Sequence, residues 1–165
     1  MNNVDQGIVS PVIGIPNWWW KKKVAKFMKV NQNIHIVSIK DFCHECSRHF
    51  EMLSLFDSGD SSFRDTEYYQ YQIKGKKKKA VMKKISDFKK LYINIANSEC
   101  KEPPIVTQDG CRIDGSHRMA ILLHIGIVKY KINVVKYDLL FSNEECCKIK
   151  SQVREYRENV YGFSE

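Results

Sequence analysis

The spacing of apolar residues divides the chain into segments of two periods. Ile34 to Ile39 reads IHIVSI and alternates, which predicts a first strand. From Asp41 to Leu55, the residues Phe42, Cys46, His49, Phe50 and Leu53 recur at helical spacing, and Phe56 continues the row. His49 on that apolar face reads as a core histidine rather than a ligand. Leu55 to Asp65, LFDSGDSSFRD, is rich in Ser, Gly and Asp and reads as a loop. Asp65 or Thr66 is placed to cap a following helix, with Glu67 in its first turn and Tyr68, Tyr69 and Tyr71 available for packing. Val81, Ile85, Phe88, Tyr92 and Ile95 then recur every three or four residues, the signature of a long amphipathic helix.

The second half carries the densest signals. Pro104 to Thr107 is a short apolar run. Gln108-Asp109-Gly110 is a hairpin turn signal, and Cys111 to Ile113 reads as the returning strand. Asp114-Gly115 ends that strand. Ser116 is a good N-cap for a helix reaching about Ile125, and Gly126 suits the residue just past its end. Ile127 to Tyr137 predicts one more strand, with imperfect alternation. Ser142 and Glu145 fit a capping box opening a helix from about Asn143 to Asn159, with Val153, Tyr156 and Val160 inward.

The N-terminal stretch differs. Pro11, Gly14 and Pro16 break regular structure over residues 1–23, and Val24 to Val30 suits no more than a short helical turn. Within it, Trp18-Trp19-Trp20 precedes Lys21-Lys22-Lys23. Adjacent indoles and lysines suit a membrane interface, or else one or two of the rings pack on the core and the lysines are solvated.

Composition narrows the class. The 165 residues are 43% hydrophobic, enough for one domain with a real core. No run reaches membrane-spanning length, and the start lacks the basic and apolar regions of a signal peptide. The expected location is therefore cytoplasmic, with a peripheral contact at the inner membrane face if the tryptophans are used that way. The formal net charge of +8 favours anionic partners: nucleotides, nucleic acid, sugar phosphates or acidic lipid. The six cysteines lack the spacing of a small disulfide scaffold, so reduced thiols are expected. Cys43-His44-Glu45-Cys46 with His49 suggests zinc only weakly, because no second ligand pair accompanies it. The GKKKK run from Gly75 to Lys79 is not a phosphate-binding P-loop, since the spaced glycines and the Ser/Thr are missing. The lysines through Lys90 form a solvated outer face, a contact to a nucleic-acid backbone, or an attractor of a phosphorylated substrate.

Candidate chemistry centres on Asp114-Gly115-Ser116-His117-Arg118. A Gly-Ser turn entering a helix leaves backbone N–H groups unpaired, and the helix dipole adds positive potential there. His117 and Arg118 in the first turn are unfavourable unless an anion compensates them, and Arg grips phosphate bidentately. Asp114 is placed to orient His117, hold a metal ion or take a proton. The plainer reading is that Ser116 caps, Asp114 closes the hairpin and Arg118 is a solvated charge.

These residues resemble the ParB/sulfiredoxin superfamily, whose signature is a hairpin, Asp-Gly-x-His-Arg or a close variant, a helix, a glycine and a strand. The resemblance is specific over Pro103 to Tyr137 and weaker from Ile34 to Asn97. It implies an α/β (α+β) chain with an irregular extension over 1–30 and one ParB/sulfiredoxin-like domain over 31–165, a small mixed sheet with packed helices. It assigns phosphate binding to Gly115, Ser116, His117 and Arg118. Ser116 stands where sulfiredoxins carry their catalytic Cys, so sulfinic-acid reduction is not expected. ParB partition proteins use an Arg-rich version of the turn on CTP, whereas the free-serine kinases share Asp-Gly-x-His-Arg. The expectation is an ATP- or ADP-dependent, Mg²⁺-assisted kinase acting on a hydroxyl of a small molecule, an amino acid or a sugar. By analogy with the superfamily, Arg64, Asp65 and Glu67 join Asp114 as candidates for phosphate binding or base catalysis, with Asp114 also a metal ligand. The alternatives are a ParB-like, DNA-associated nucleotide-binding module, for which too little chain follows Tyr137, and a non-catalytic nucleotide sensor.

Overall fold

Among the described residues four short strands pair into one mixed sheet. The computed structural model describes residues 33–42, 47–107, 112–148, 150, 151 and 154. Strands β1 (Ile34–Ser38), β2 (Ile105–Thr107), β3 (Arg112–Asp114) and β4 (Lys129–Val135) lie in the order β1-β4-β2-β3. β4 runs antiparallel to β1, with Ile36 opposite Lys131, and parallel to β2, with Val106 opposite Val134. β2 and β3 are antiparallel, with a bulge between Ile105 and Val106. The uneven alternation of β4 has a simple cause. Neighbours Ile132 and Asn133 point to opposite faces, and both are buried, so both faces of this strand are covered at that level.

The helices are α1 (Ser47–Ser58), α2 (Glu67–Ile73), α3 (Lys78–Asn97) and α4 (Ser116–His124), and residues 143–148 are also helical. The chain divides into two compact units. A sheet unit takes the chain up to Ser38, Pro103–Ser116 and everything from Lys129 on. A helical unit takes Ile39–Glu102 and His117–Val128. The sheet unit buries Val106, Ile132 and Val135; the helical unit buries Met52, Leu53, Tyr68, Met119, Ile121 and Leu122. The expected mixed α/β class with a small mixed sheet is observed. Among the described residues no helix is long and apolar enough to cross a membrane.

Several element boundaries differ from expectation. The first strand stops at Ser38, because Ile39 turns into a 3₁₀ segment (Ile39–Phe42) and gives its N–H to the Val128 carbonyl at 2.9 Å. Asp41 and Phe42 belong to that 3₁₀ segment rather than to an α-helix, and helix α1, described over Ser47–Ser58, runs past Leu55 and ends at Gly59, whose φ of +69° supplies the left-handed stop. Its core row includes Met52, which was not singled out. The Asp65-or-Thr66 alternative resolves to Thr66, whose Oγ1 accepts from the Tyr69 N–H at 3.1 Å. The last strand begins two residues later than expected. Gly126 (φ +86°) donates to the Leu123 carbonyl at 3.0 Å and Ile127 to that of Leu122 at 2.8 Å, a Schellman closure that uses Ile127 to end α4. The capping box forms: Glu145 Oε2 accepts from the Ser142 N–H at 2.8 Å, and Ser142 Oγ from the Glu145 N–H at 3.3 Å. The turn at Gln108-Asp109-Gly110, the Cys43–Cys46 motif, the Trp18-Trp19-Trp20 stretch, Val24–Val30 and the inward trio Val153, Tyr156 and Val160 lie outside the described residues.

Gly115 joins β3 to α4 at φ +103°, and a Cβ there would lie 2.7 Å from Pro104 Cβ and 2.9 Å from Pro104 Cα. Backbone strain and overlap then act together. Gly115→Ala is expected to cost at least about 3 kcal/mol, against about 1–2 kcal/mol for Gly75→Ala. Gly75 has a similar φ of +70° but nothing within 4 Å of the added atom. Urea unfolding midpoints of the two variants check the difference; equal shifts would mean that Pro104 does not constrain the turn.

Candidate functional site

His117, in the first turn of α4, sits in an aromatic cluster built by all four helices of the helical unit. Its Nε2 is 2.8 Å from the Tyr68 hydroxyl of α2. Its ring packs edge-on against His49 of α1 at 4.8 Å between centroids and against Phe88 of α3 at 4.5 Å. His49 and Phe88 also meet Tyr68, at 5.3 and 5.4 Å. Such edge-to-face contacts add about 0.5–1.5 kcal/mol each beyond area burial. Tyr68 is fully buried, and that burial pushes its phenol well above the usual range, so it is a neutral O–H at any ordinary pH. His49 is core, as its position on α1 suggested, but its Nδ1 is buried without a hydrogen-bond partner among the described residues.

Arg118 is not a freely solvated charge. Its Nη1 donates to the Glu102 carbonyl at 2.8 Å and lies 3.4 Å from Glu102 Oε2, with 12% of the side chain exposed. The Glu102 carboxylate is 88% exposed, so the carbonyl contact is the stronger hold. In the sheet unit, Asp114 is half-buried and its backbone pairs with Ile105, while Gly115 and Ser116 are buried. Helix α4 starts with Ser116 itself.

The segment before α2 is also laid out. Arg64 and Asp65 are exposed on a short 3₁₀ turn (Phe63–Asp65), and the Arg64 carbonyl accepts from Gln70 Nε2 at 2.8 Å. The exposed Glu67 gives its backbone N–H to Glu51 Oε2 at 2.9 Å, and its carboxylate lies 3.8 Å from Arg48 Nε. Tyr68 follows immediately. The hydrogen bond between Tyr68 and His117 therefore links α2, whose first residue is Glu67, to the first turn of α4.

A second polar cluster was not legible in the sequence. The Asp57 carboxylate at the end of α1 accepts from the Tyr92 hydroxyl of α3 through Oδ1 and from His124 Nε2, in the last turn of α4, through Oδ2 at 2.6 Å. One carboxylate thus ties three helices. On α3, Lys78, Lys79, Lys83, Lys89 and Lys90 are exposed, whereas Lys84 joins Lys76 in donating to the buried Gln72 Oε1, both at 2.9 Å. Asn133 on β4 was missed as well: it is 7% exposed and its Oδ1 has no partner among the described residues. A polar residue within a branched strand run was the available signal. Among the described residues no group of three His, Cys, Asp or Glu is placed to hold a metal ion.

No protein-family model, curated protein or solved structure matches the chain.

The Asp57 cluster has a defined pH signature. The Tyr92 hydroxyl, and after it His124, hold the Asp57 carboxyl below its ordinary value. A carboxylate depressed on folding contributes stability above its unfolded pKa and loses it as pH falls through the folded value. Asp57→Asn is therefore expected to lower stability by about 1 kcal/mol near pH 6, a modest figure because the side chain is 49% exposed. The deficit should be smaller at about pH 3, below the ordinary carboxyl value, and vanish only once the pH has fallen past the lower folded value. Denaturant midpoints at the two pH values test this; a deficit undiminished in acid would assign the loss to geometry rather than charge.

Proposed function

We propose that the chain is a nucleotide-binding phosphotransferase of ParB/sulfiredoxin type, moving a phosphoryl group from ATP or ADP to a hydroxyl of a small molecule, an amino acid or a sugar. The observation that carries this reading is the 2.8 Å hydrogen bond between Tyr68 and His117, residues 49 positions apart. It joins α2, whose first residue is Glu67, to the first turn of α4, which supports reading Arg64, Asp65 and Glu67 together with His117 and Arg118. The order of elements supports the same reading: hairpin β2–β3, Asp114-Gly115, helix α4 from Ser116, Gly126 past its end, and β4 returning parallel to β2.

Phosphoryl transfer needs a phosphate cradle, neutralisation of charge and a carboxylate near the acceptor hydroxyl. In this reading Gly115, Ser116, His117, Arg118 and Arg64 hold phosphate oxygens. The acceptor oxygen forms its bond to the terminal phosphorus as the bond to the leaving nucleotide breaks, and the hydroxyl proton passes to a carboxylate, Asp114, Asp65 or Glu67. Mg²⁺, when bound with the nucleotide, supplies charge neutralisation. It takes most of its ligands from phosphates and water and needs only one or two carboxylates, so the half-buried Asp114 fits it without a larger acidic cluster.

A second reading, an association with DNA, is favoured by one observation: the exposed lysines of α3, a helix whose one acidic residue is Asp87. Binding to a duplex that weakens steeply with salt would support it.

Calorimetric titration with ATP, ADP and CTP in the presence of Mg²⁺ tests the first reading. Arg118→Ala is expected to weaken nucleotide binding about 10- to 100-fold, the value of a lost charge-assisted hydrogen bond. Asp114→Asn is expected to bind nucleotide normally and to lose turnover about 100-fold or more. Full turnover in that variant removes Asp114 from the mechanism. Nucleotide binding with no turnover on any small hydroxyl acceptor would leave a sensor, and no binding at all would reject the reading.

A further inference from the structure

The Asp57 carboxylate fixes the orientation and the proton of the His124 ring. Its Oδ2 accepts from His124 Nε2 at 2.6 Å, and its Oδ1 accepts from the Tyr92 hydroxyl. The Tyr92 bond, and after it the His124 bond, hold the Asp57 carboxyl below its usual range, so it is ionised and can only accept. The shared proton therefore belongs to His124 Nε2, and in the neutral ring the lone pair sits on Nδ1. Nδ1 has no hydrogen bond to a described residue. Among the described residues the buried side-chain polar atoms without a partner are His49 Nδ1 and Asn133 Oδ1. His124 Nδ1 is therefore open to solvent, in keeping with the 18% exposure of its side chain. The Tyr92 ring meets the imidazole edge-on at 6.0 Å and limits its rotation. A cation flanks the cluster as well. Lys89 is exposed, its Nζ lies 5.9 Å from the Phe56 ring centroid, and Phe56 stacks on Tyr92 at 6.2 Å. A positive charge beside an unprotonated ring nitrogen favours an anionic electrophile.

We propose that His124 Nδ1 is a nucleophile that takes a phosphoryl group from a small phosphoryl donor, with Asp57 as its positioning residue. The Nδ1 lone pair forms the N–P bond as the bond from phosphorus to the leaving group breaks, and the leaving group departs with that bonding pair. The ring keeps its Nε2–H and becomes a phosphoimidazolium, whose positive charge faces the Asp57 carboxylate. No proton has to leave the ring during the step. Tyr92 touches no donor in this scheme; its hydroxyl occupies the second carboxylate oxygen and holds Asp57 in place. The site uses none of the residues assigned to the phosphate turn, so it stands or falls apart from the nucleotide-binding reading.

Phosphoramidate, whose leaving group is ammonia, is the probe, used on the full chain at mildly alkaline pH. Peptide mass mapping locates the added group, and ³¹P–¹⁵N NMR reports which ring nitrogen carries it. His35 supplies an internal reference: it is exposed, and its Nε2 pairs with the Asn33 amide oxygen at 2.9 Å rather than with a carboxylate. His124 is expected to be labelled about ten-fold faster than His35, and at Nδ1, whereas an unrestrained imidazole favours the Nε2 product. Asp57→Asn is expected to slow labelling of His124 about ten-fold and to leave His35 unchanged. Lys89→Gln is expected to slow it about two- to five-fold at low salt. Label at Nε2 of His124, or no label on His124 at all, overturns the proposal and needs no variant to fold. Equal rates at His124 and His35 overturn it too. A rate at His124 that Asp57→Asn leaves unchanged overturns the role of Asp57, and one that Lys89→Gln leaves unchanged overturns the attraction by Lys89. Modification of His124 by the neutral reagent diethyl pyrocarbonate, with no transfer from phosphoramidate, overturns the phosphoryl class. If Asp57→Asn loses cooperative unfolding, the rate ratio and the labelled nitrogen in the unaltered protein decide the outcome.

Discussion

Tyr68 is wholly enclosed by other side chains, and its hydroxyl bonds to the ring of His117. A buried phenol is costly unless its hydroxyl has a partner, and His117 supplies one. That requirement governs the helical unit. It sets α2 against the first turn of α4 in a single orientation, because a rotation of either helix would leave the phenol proton buried and unpaired. His49 from α1 and Phe88 from α3 complete the cluster, so each of the four helices contributes one ring. Asp57 repeats the device nearer the surface, where Tyr92 and His124 share one carboxylate. Apolar burial supplies most of the cohesion. These few directed bonds choose one packing among the many that burial alone would allow.

Much of the local structure was readable from residue order. The capping box at Ser142 and Glu145, the cap at Thr66, the glycine past α4 and the apolar row of α3 all follow from short-range rules that operate within a turn or two. Boundaries failed where two rules competed. The polar last turn of α1 resembles a loop in composition, yet Leu55 and Phe56 keep it helical until Gly59 permits a stop. Ile127 has the side chain of a strand residue, but its N–H is used to close α4. The pairings were the illegible part. Periodicity states which face of a helix is apolar and says nothing about which residue of another helix lies opposite. Tyr68 was read as packing, which is true, but its partner is 49 residues away. Asp57 sat in a stretch read as loop, and Tyr92 and His124 carried no motif that links them to it.

The proposed phosphate turn combines groups held to different degrees. Arg118 is anchored on a backbone carbonyl, His117 on a buried phenol, and Gly115 is pressed against Pro104. Asp65 and Arg64, by contrast, are exposed on a short turn. Under the proposed phosphotransferase reading, firmly held donors at the turn with exposed acidic and basic groups just before Tyr68 would suit a catalyst, since preorganised donors do not need to reorganise when charge develops, whereas the acceptor side must admit and release a substrate.

The division of the chain into two units also determines the order in which it can fold. Neither unit is a continuous piece of sequence: the chain leaves the sheet unit after Ser38, returns at Pro103, leaves again after Ser116 and returns at Lys129. β4 is the hub of the sheet, pairing with β1 and with β2, and among the described residues it is the last strand in the sequence. Closing the loop between β1 and β4 carries an entropy cost that their pairing, with the Ile39–Val128 bond beside it, offsets. Helices α1 to α3 lie in one unbroken stretch and have mostly local contacts, so they are free to assemble early. On the ribosome the first strand must therefore wait, with its edge unpaired, until Lys129–Val135 has left the exit tunnel. During that interval the unpaired edge is open to wrong partners.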